Sequence, residues 1–215
     1  MHQQQIDLLK AAIERELPKP WTAWPGGYPN EVEAALVDAV LSIRAAYGNS
    51  PASGVRGAVS RYRKWVDGGR LDDLARLANF TPDRPAEVLG NHQKTSGVLK
   101  AAAIVEAANN LLAAGVTCAA DLDPETHRRA YTRVHGLGGV TWEYLTMLLG
   151  HSGIKADTWV TRWVSEAVGA TQLSNRDAHD LLAEAARELG IGSNDPEVPG
   201  LTQLDHAIWN AARAR

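Results

Sequence analysis

The sequence predicts an all-α protein, and three observations carry that prediction. Apolar residues recur at three- and four-residue steps, as in Val32, Leu36, Ala39 and Ile43 and again in Ala101, Ile104, Val105, Ala108, Leu111 and Leu112. That is the spacing of one face of a helix. No segment alternates apolar and polar residues as a half-buried strand requires. Gly48, Gly68, Gly115, Gly150 and Gly190 each close an apolar-periodic segment, where a residue free to take positive φ commonly ends a helix.

In chain order the spacing predicts helices at about 3–16, 32–43, 53–66, 71–78, 101–112, 124–133, 140–150, 157–168, 175–189 and 200–213. Pro124-Glu125 suits a first helical turn. Asp157-Thr158 precedes Trp159-Val160, and Ser174-Asn175 precedes the helix of Leu181 and Leu182, each with side-chain oxygens suited to the first free amides. Two stretches rich in Pro and Gly, 17–30 and 190–200, read as ordered loops and as the places where the chain passes between lobes.

The 215 residues, 45% hydrophobic, suffice for one substantial core or two small lobes. A single cysteine, Cys118, excludes an intramolecular disulfide, a four-cysteine zinc site and a cysteine-ligated iron–sulfur cluster. The opening MHQQQIDLLKAAIEREL has neither the basic stretch nor the apolar run of a signal peptide, so a cytoplasmic protein is expected. Net charge is −3, so bulk charge does not favour nucleic acid and any such contact needs local clusters. Two exist: Arg56, Arg61, Arg63 and Lys64 in one helix, and Arg128, Arg129 and Arg133 further on.

The second cluster runs into HGLGGVTWEYLTMLLGHSGIKADTWVTRW, residues 135–163. Only His135 to Gly139 separate one predicted helix from the next. Glycine reaches positive φ without steric cost, and its bare backbone lets N–H groups approach an anion at the positive end of the following helix. A DNA phosphate is such an anion, bound without reading sequence. A tight turn between two helices explains the same glycines. Asp157 is equally open, as an N-cap or as a reagent.

These residues together resemble the helix–hairpin–helix DNA glycosylase superfamily, whose pattern is LPGVGxxTA, a helix, a short loop and then DTHVxR. Gly136, Leu137 and Gly138 match GVG, Thr141 matches the T, and Asp157, Thr158, Val160 and Arg162 match DTHVxR. Lys100-Ala101 within GVLKAAAI is similar to the family's Lys-Ala helix, and PNEVEAALVDAVLS (29–42) to its early core helix. The likeness spans about 29–168. His135 stands where the family has proline, Trp142 where it has a small residue, and Trp159 where it has histidine.

The resemblance implies two helical lobes flanking a DNA-binding cleft within one domain, 1–215. Lobe A would run about 30–152 with the hairpin at 135–139, and lobe B would combine about 1–29 with 153–215. It implies that Gly136, Gly138 and Gly139 hold DNA phosphate, with a monovalent cation on the hairpin carbonyls as the one candidate cofactor, and that Asp157 carries out base excision. Val140 stands where relatives that also nick the backbone carry a lysine, so hydrolysis without lyase activity is expected; Lys155, close in sequence to Asp157, could supply that amine instead but reads as an exposed loop lysine. Trp142 and Trp159 are candidates to stack on an extruded base, and Asn91 and His92 are candidate wedges for the gap it leaves. Trp65, Trp163 and Trp209 read as core. The expected partner is double-stranded DNA, met by a monomer associated with the nucleoid. A non-catalytic DNA-binding module would keep the hairpin and use Asp157 only as a cap, and would bind duplex without forming abasic sites. A helical scaffold protein would not bind DNA at all.

Overall fold

The computed structural model describes residues 2–22, 24, 26–45, 50, 52–81, 84–192 and 200–214. Among them lie helices α1 (His2–Glu16), α2 (Val32–Leu41), α3 (Gly54–Trp65), α4 (Leu74–Ala78), α5 (Arg84–Leu89), α6 (Lys100–Ala113), α7 (Arg128–Thr132), α8 (Gly139–Leu148), α9 (Thr158–Ala167), α10 (Asn175–Glu188) and α11 (Leu201–Ala214). The all-α prediction holds. The one sheet is a pair of two-residue antiparallel strands, β1 (Lys94–Thr95) and β2 (Val98–Leu99), with Lys94 opposite Leu99. Gly48 and most of the 190–200 loop lie outside the described residues.

The chain forms two compact units: a middle unit, Gly27–His151, and a terminal unit, Met1–Gly26 with Ser152–Arg215. In the middle unit α2 is the central helix, with α3, α4, α6 and α8 packed against it. Its sequence VEAALVDAVL is apolar nearly all round, and every residue of it is buried, as such a helix must be. Its two acids are satisfied inside. Asp38 accepts the Tyr28 hydroxyl at 2.9 Å and the Ser42 hydroxyl at 3.0 Å. Glu33 accepts the Tyr62 hydroxyl (2.6 Å), the Asp73 N–H (2.8 Å) and both Nε and Nη2 of Arg76 (3.0 and 2.6 Å). Burial first, and Glu33 second, push the Tyr62 phenol well above its usual range.

Lys100 closes the other end of α2. Its buried amine donates to the carbonyls of Leu41 (3.0 Å) and Ile43 (2.6 Å) and to Gln93 Oε1 (2.7 Å), satisfying acceptors that the helix leaves open at its negative pole. Burial pulls this ammonium below its ordinary pKa.

In the terminal unit α9 packs against α1, α10 and α11. Val160, Trp163 and Val164 of α9 meet Leu9 and Ile13 of α1, Leu181 and Leu182 of α10 and Leu204 and Ile208 of α11 in one apolar cluster. Leu182 is fully buried there. Leu182→Ala is expected to cost about 2–5 kcal/mol, read as a lower urea midpoint at unchanged slope.

Several elements differ from the sequence prediction, among them a short 3-10 turn at Ala119–Asp121. Helix α5 was not predicted, being six residues, shorter than two turns, and so too short to show a period. Helix α4 starts at Leu74 rather than 71 because Asp73 caps it, Oδ1 accepting the Ala75 N–H at 3.1 Å. Helix α7 starts at Arg128, since Asp123 and His127 fold the preceding residues into a turn: Asp123 Oδ1 accepts the Thr126 N–H and His127 Nδ1 the Asp123 N–H. The β1–β2 hairpin is too short to alternate, and turns through Ser96 and Gly97, both at positive φ (48° and 87°).

Candidate functional site

Between α7 and α8 the chain makes a tight glycine turn. Gly136 has φ +86°, and a Cβ there would lie 3.0–3.1 Å from the Cγ2, Oγ1 and backbone oxygen of Thr95. The β1–β2 hairpin rests on this turn, Thr95 Oγ1 donating to the Gly136 carbonyl at 3.1 Å and His135 Nε2 lying 3.1 Å from the Ser96 carbonyl. Gly136→Ala is expected to destabilise the protein by about 1–2 kcal/mol, the steric cost of a left-handed residue. Gly138→Ala is expected to be near neutral, because φ there is −143° and a Cβ meets nothing within 4 Å. Parallel urea titrations of the two variants check the contrast.

The same turn presents backbone amides. Leu137 N–H donates to Val134 O and Gly138 N–H to Thr141 Oγ1, but no described acceptor takes the N–H of Gly139 or Val140 at the start of α8. Arg128 stands over that helix start: a Cβ on Gly139 would lie 2.8 Å from its Nη2. Arg128 also pairs with Glu143 at 3.1 Å, and Arg129 and Arg133 are exposed beside it. Two unpaired amides, a helix start and three arginines make this surface attractive to an anion. In the other basic cluster two members are engaged within the fold, Arg61 donating to the Leu89 carbonyl and Arg63 pairing with both oxygens of Glu31, while Arg56 and Lys64 are exposed.

In the terminal unit Asp157 is the N-cap of α9. Its Oδ1 accepts the N–H groups of Trp159 (2.9 Å) and Val160 (3.2 Å), and its Oδ2 lies 3.8 Å from Lys155 Nζ. The side chain is 19% exposed, so the carboxylate is held still, partly screened from water, with one oxygen outside the cap. Lys155 is not the exposed loop lysine expected from the sequence; its side chain is 23% exposed and its amine faces Asp157.

Asp205 is the acid that sequence reasoning missed. It sits on α11, 7% exposed, and its Oδ1 accepts the Lys155 N–H at 2.8 Å. Burial first, and the charge of Asp157 second, push its carboxyl up to about 8. The available signal was an acid one step from Leu204 and three from Ile208, on the apolar stripe of α11. A folded-state pKa raised above the unfolded value means that the native state binds the extra proton, so stability falls as pH rises from about 4 to about 8. Urea midpoints at pH 5 and pH 8 are expected to show that fall in the wild type and a flatter response in Asp205→Asn.

The remaining predicted residues divide. Trp159 is 39% exposed on α9, two residues from Asp157. Trp142 does not fit a base-stacking role: it is 1% exposed, its indole N–H donates to the Pro124 carbonyl at 3.0 Å, and it tilts against Tyr131 in the core. Asn91 holds its own turn, Oδ1 accepting the Gln93 N–H, whereas His92 is exposed. Val140 is half-buried in the first turn of α8. Trp163 is core as predicted; Trp65, expected in the core, is an exposed ring stacked on Tyr62 and tilted against Phe80, and Trp209 is half-buried between His206 and Arg213. A concavity lined by Trp65, Asp73, Arg76, Phe80 and Arg84 contains none of the residues proposed for DNA contact or catalysis. No group of three or more His, Cys, Asp or Glu suited to a metal occurs among the described residues, and no helix there is long and apolar enough to cross a membrane.

The all-α fold resembles that of a DNA glycosylase of known structure. The crystal structure of H. pylori 3-methyladenine DNA glycosylase (MagIII) bound to 1,N6-ethenoadenine matches with a TM-score of 0.64 over 97% of this chain and 95% of that one, at 16% identity. The chain itself belongs to the family described as a domain of unknown function, DUF8548, which matches residues 7–213. No curated protein matches it in sequence.

Proposed function

We propose that this protein is a DNA glycosylase that hydrolyses the N-glycosidic bond of a damaged, modified or mispaired base in duplex DNA. The observation that carries the proposal is the state of Asp157: one oxygen locked by two α9 amides, the other outside the cap, in a partly dry setting. A fixed carboxylate there favours the cationic sugar of the transition state without having to reorganise when the charge appears. The amides of Gly139 and Val140, flanked by Arg128, Arg129 and Arg133, hold backbone phosphate and supply affinity that reads no sequence.

Trp159 is the exposed ring available to stack on an extruded base, and His92 is the remaining wedge candidate. A monovalent cation at the turn would rest on the carbonyls of His135 and Leu137, which take no donor among the described residues, and would add positive charge for the phosphate. Val140 supplies no amine, so excision stops at an abasic site.

The test is a panel of duplexes, each with one modified base, assayed for strand breaks after alkali. Modified adenines come first, since the structural neighbour is a 3-methyladenine enzyme bound to 1,N6-ethenoadenine. Breaks only after alkali, lost in Asp157→Asn, support the proposal; breaks without alkali contradict the role given to Val140. The cap geometry of Asp157 also favours a second reading, a DNA-binding module without chemistry, which predicts duplex binding and no abasic product on any substrate.

A further inference from the structure

The turn that presents Asp157 is tied from both sides. Gly153 donates its N–H to Thr202 Oγ1 (3.3 Å) and Lys155 its N–H to Asp205 Oδ1 (2.8 Å), both acceptors on α11. From the other side the Ala156 carbonyl accepts Asn175 Nδ2 (2.8 Å) and Thr161 Oγ1 (3.2 Å). Lys155 is held at both of its peptide groups, because its carbonyl accepts the Asp157 N–H at 2.7 Å. One residue thus links the two acids, Asp205 on its amide and Asp157 on its carbonyl.

Their surroundings are unequal. Asp205 is almost fully buried, and one backbone N–H is the only donor that reaches it among the described residues. Asp157 has two amides on one oxygen and an ammonium near the other. Two nearby carboxyl groups resist double ionisation, and the more buried, less solvated member keeps the proton. The charged groups on neighbouring elements that act on Asp205 are Asp157 and Lys155. On α9, Arg162 and Glu166 pair with each other at 2.8 Å, and on α11 itself His206 stacks on Trp209.

We propose that Asp205 is a positioning residue for Asp157: it holds the 155–157 turn through the Lys155 amide and carries the proton of the two carboxyl groups, leaving the charge on Asp157. Its consequence for catalysis rests on the glycosylase function proposed above, but its physical content does not. The rise of the Asp205 carboxyl to about 8 agrees with it. The proton stays on Asp205 through neutral pH, so the turn keeps a single negative charge, opposite Lys155. Above that pH a second, buried charge enters the turn.

The full-length protein labelled with 13C at aspartate carboxyl carbons, titrated by NMR without DNA, tests this. In the wild type the Asp205 resonance is expected to move near pH 8. In Asp157→Asn the Asp205 midpoint is expected to fall by about one pH unit or more, since a like charge has gone. An Asp205 midpoint among ordinary carboxylates near 4, or one unmoved in Asp157→Asn, overturns the proposal. These readouts use the wild type and Asp157→Asn, so they stand even if Asp205 variants fold poorly. On the duplex found by the substrate panel, single-turnover base release is expected to change at least about threefold between pH 7 and 9 in the wild type and to stay flat in Asp205→Asn. Equal profiles in the two overturn the catalytic consequence. Expected titrations with no abasic product on any duplex would leave Asp205 as the partner of Asp157 and refute the glycosylase function alone.

Discussion

Asp157→Asn is expected to lower the rate of base release about 10³-fold while leaving duplex affinity and stability nearly unchanged. Asparagine caps a helix about as well as aspartate, so the Trp159 and Val160 amides keep an acceptor and α9 keeps its start. On the proposed function what is lost is the negative charge facing the developing sugar cation, and a 10³-fold loss corresponds to about 4 kcal/mol of transition-state stabilisation. Losing that charge also relieves Asp205 of a like neighbour, which works slightly in favour of folding. Single-turnover release on the duplex found by the panel, beside binding isotherms and urea melts, separates these effects. A fall of less than about tenfold would remove Asp157 from the chemistry and leave it a cap. Asp157→Ala loses the cap as well and is expected to be about 1 kcal/mol less stable than the asparagine variant.

The second large effect concerns the middle unit. Arg76→Ala is expected to cost about 3–5 kcal/mol, because Glu33 is fully buried and its carboxylate would be left, among the described residues, with the Tyr62 hydroxyl and the Asp73 amide. Glu33→Gln is expected to cost less. The stranded Arg76 guanidinium reaches solvent and can rehydrate, and glutamine keeps an acceptor for Tyr62. The order of the two urea midpoints is the test. The reverse order would mean that the ion pair is held chiefly for Arg76.

Much of the fold was legible because helix periodicity is a local property. The stripes that end at Ile43 and Leu112, the Ser174 cap and the Gly150 stop are each set by residues within one or two turns. Asp157 was legible for the same reason, since the acid and the amides it caps are neighbours in sequence. Trp142 was misjudged because being next to a motif does not say which face a side chain takes; the indole turned inward to Tyr131 and the Pro124 carbonyl. Trp65 went the other way, to an exposed position tilted against Phe80, fifteen residues distant.

The sequence alone determined most of the helices, the glycine turn with its positive-φ Gly136, and the acid at the start of α9, because each depends on backbone sterics and hydrogen bonds within a few residues. Only the tertiary structure decided what those parts face. The β1–β2 hairpin lies on Gly136 across 41 residues, Lys100 closes α2 across 59, and Asp205 reaches the Lys155 amide across 50. Such contacts join segments far apart in the chain, and no local pattern encodes them: they follow from how the helices pack, which sets the burial that separates the two acids.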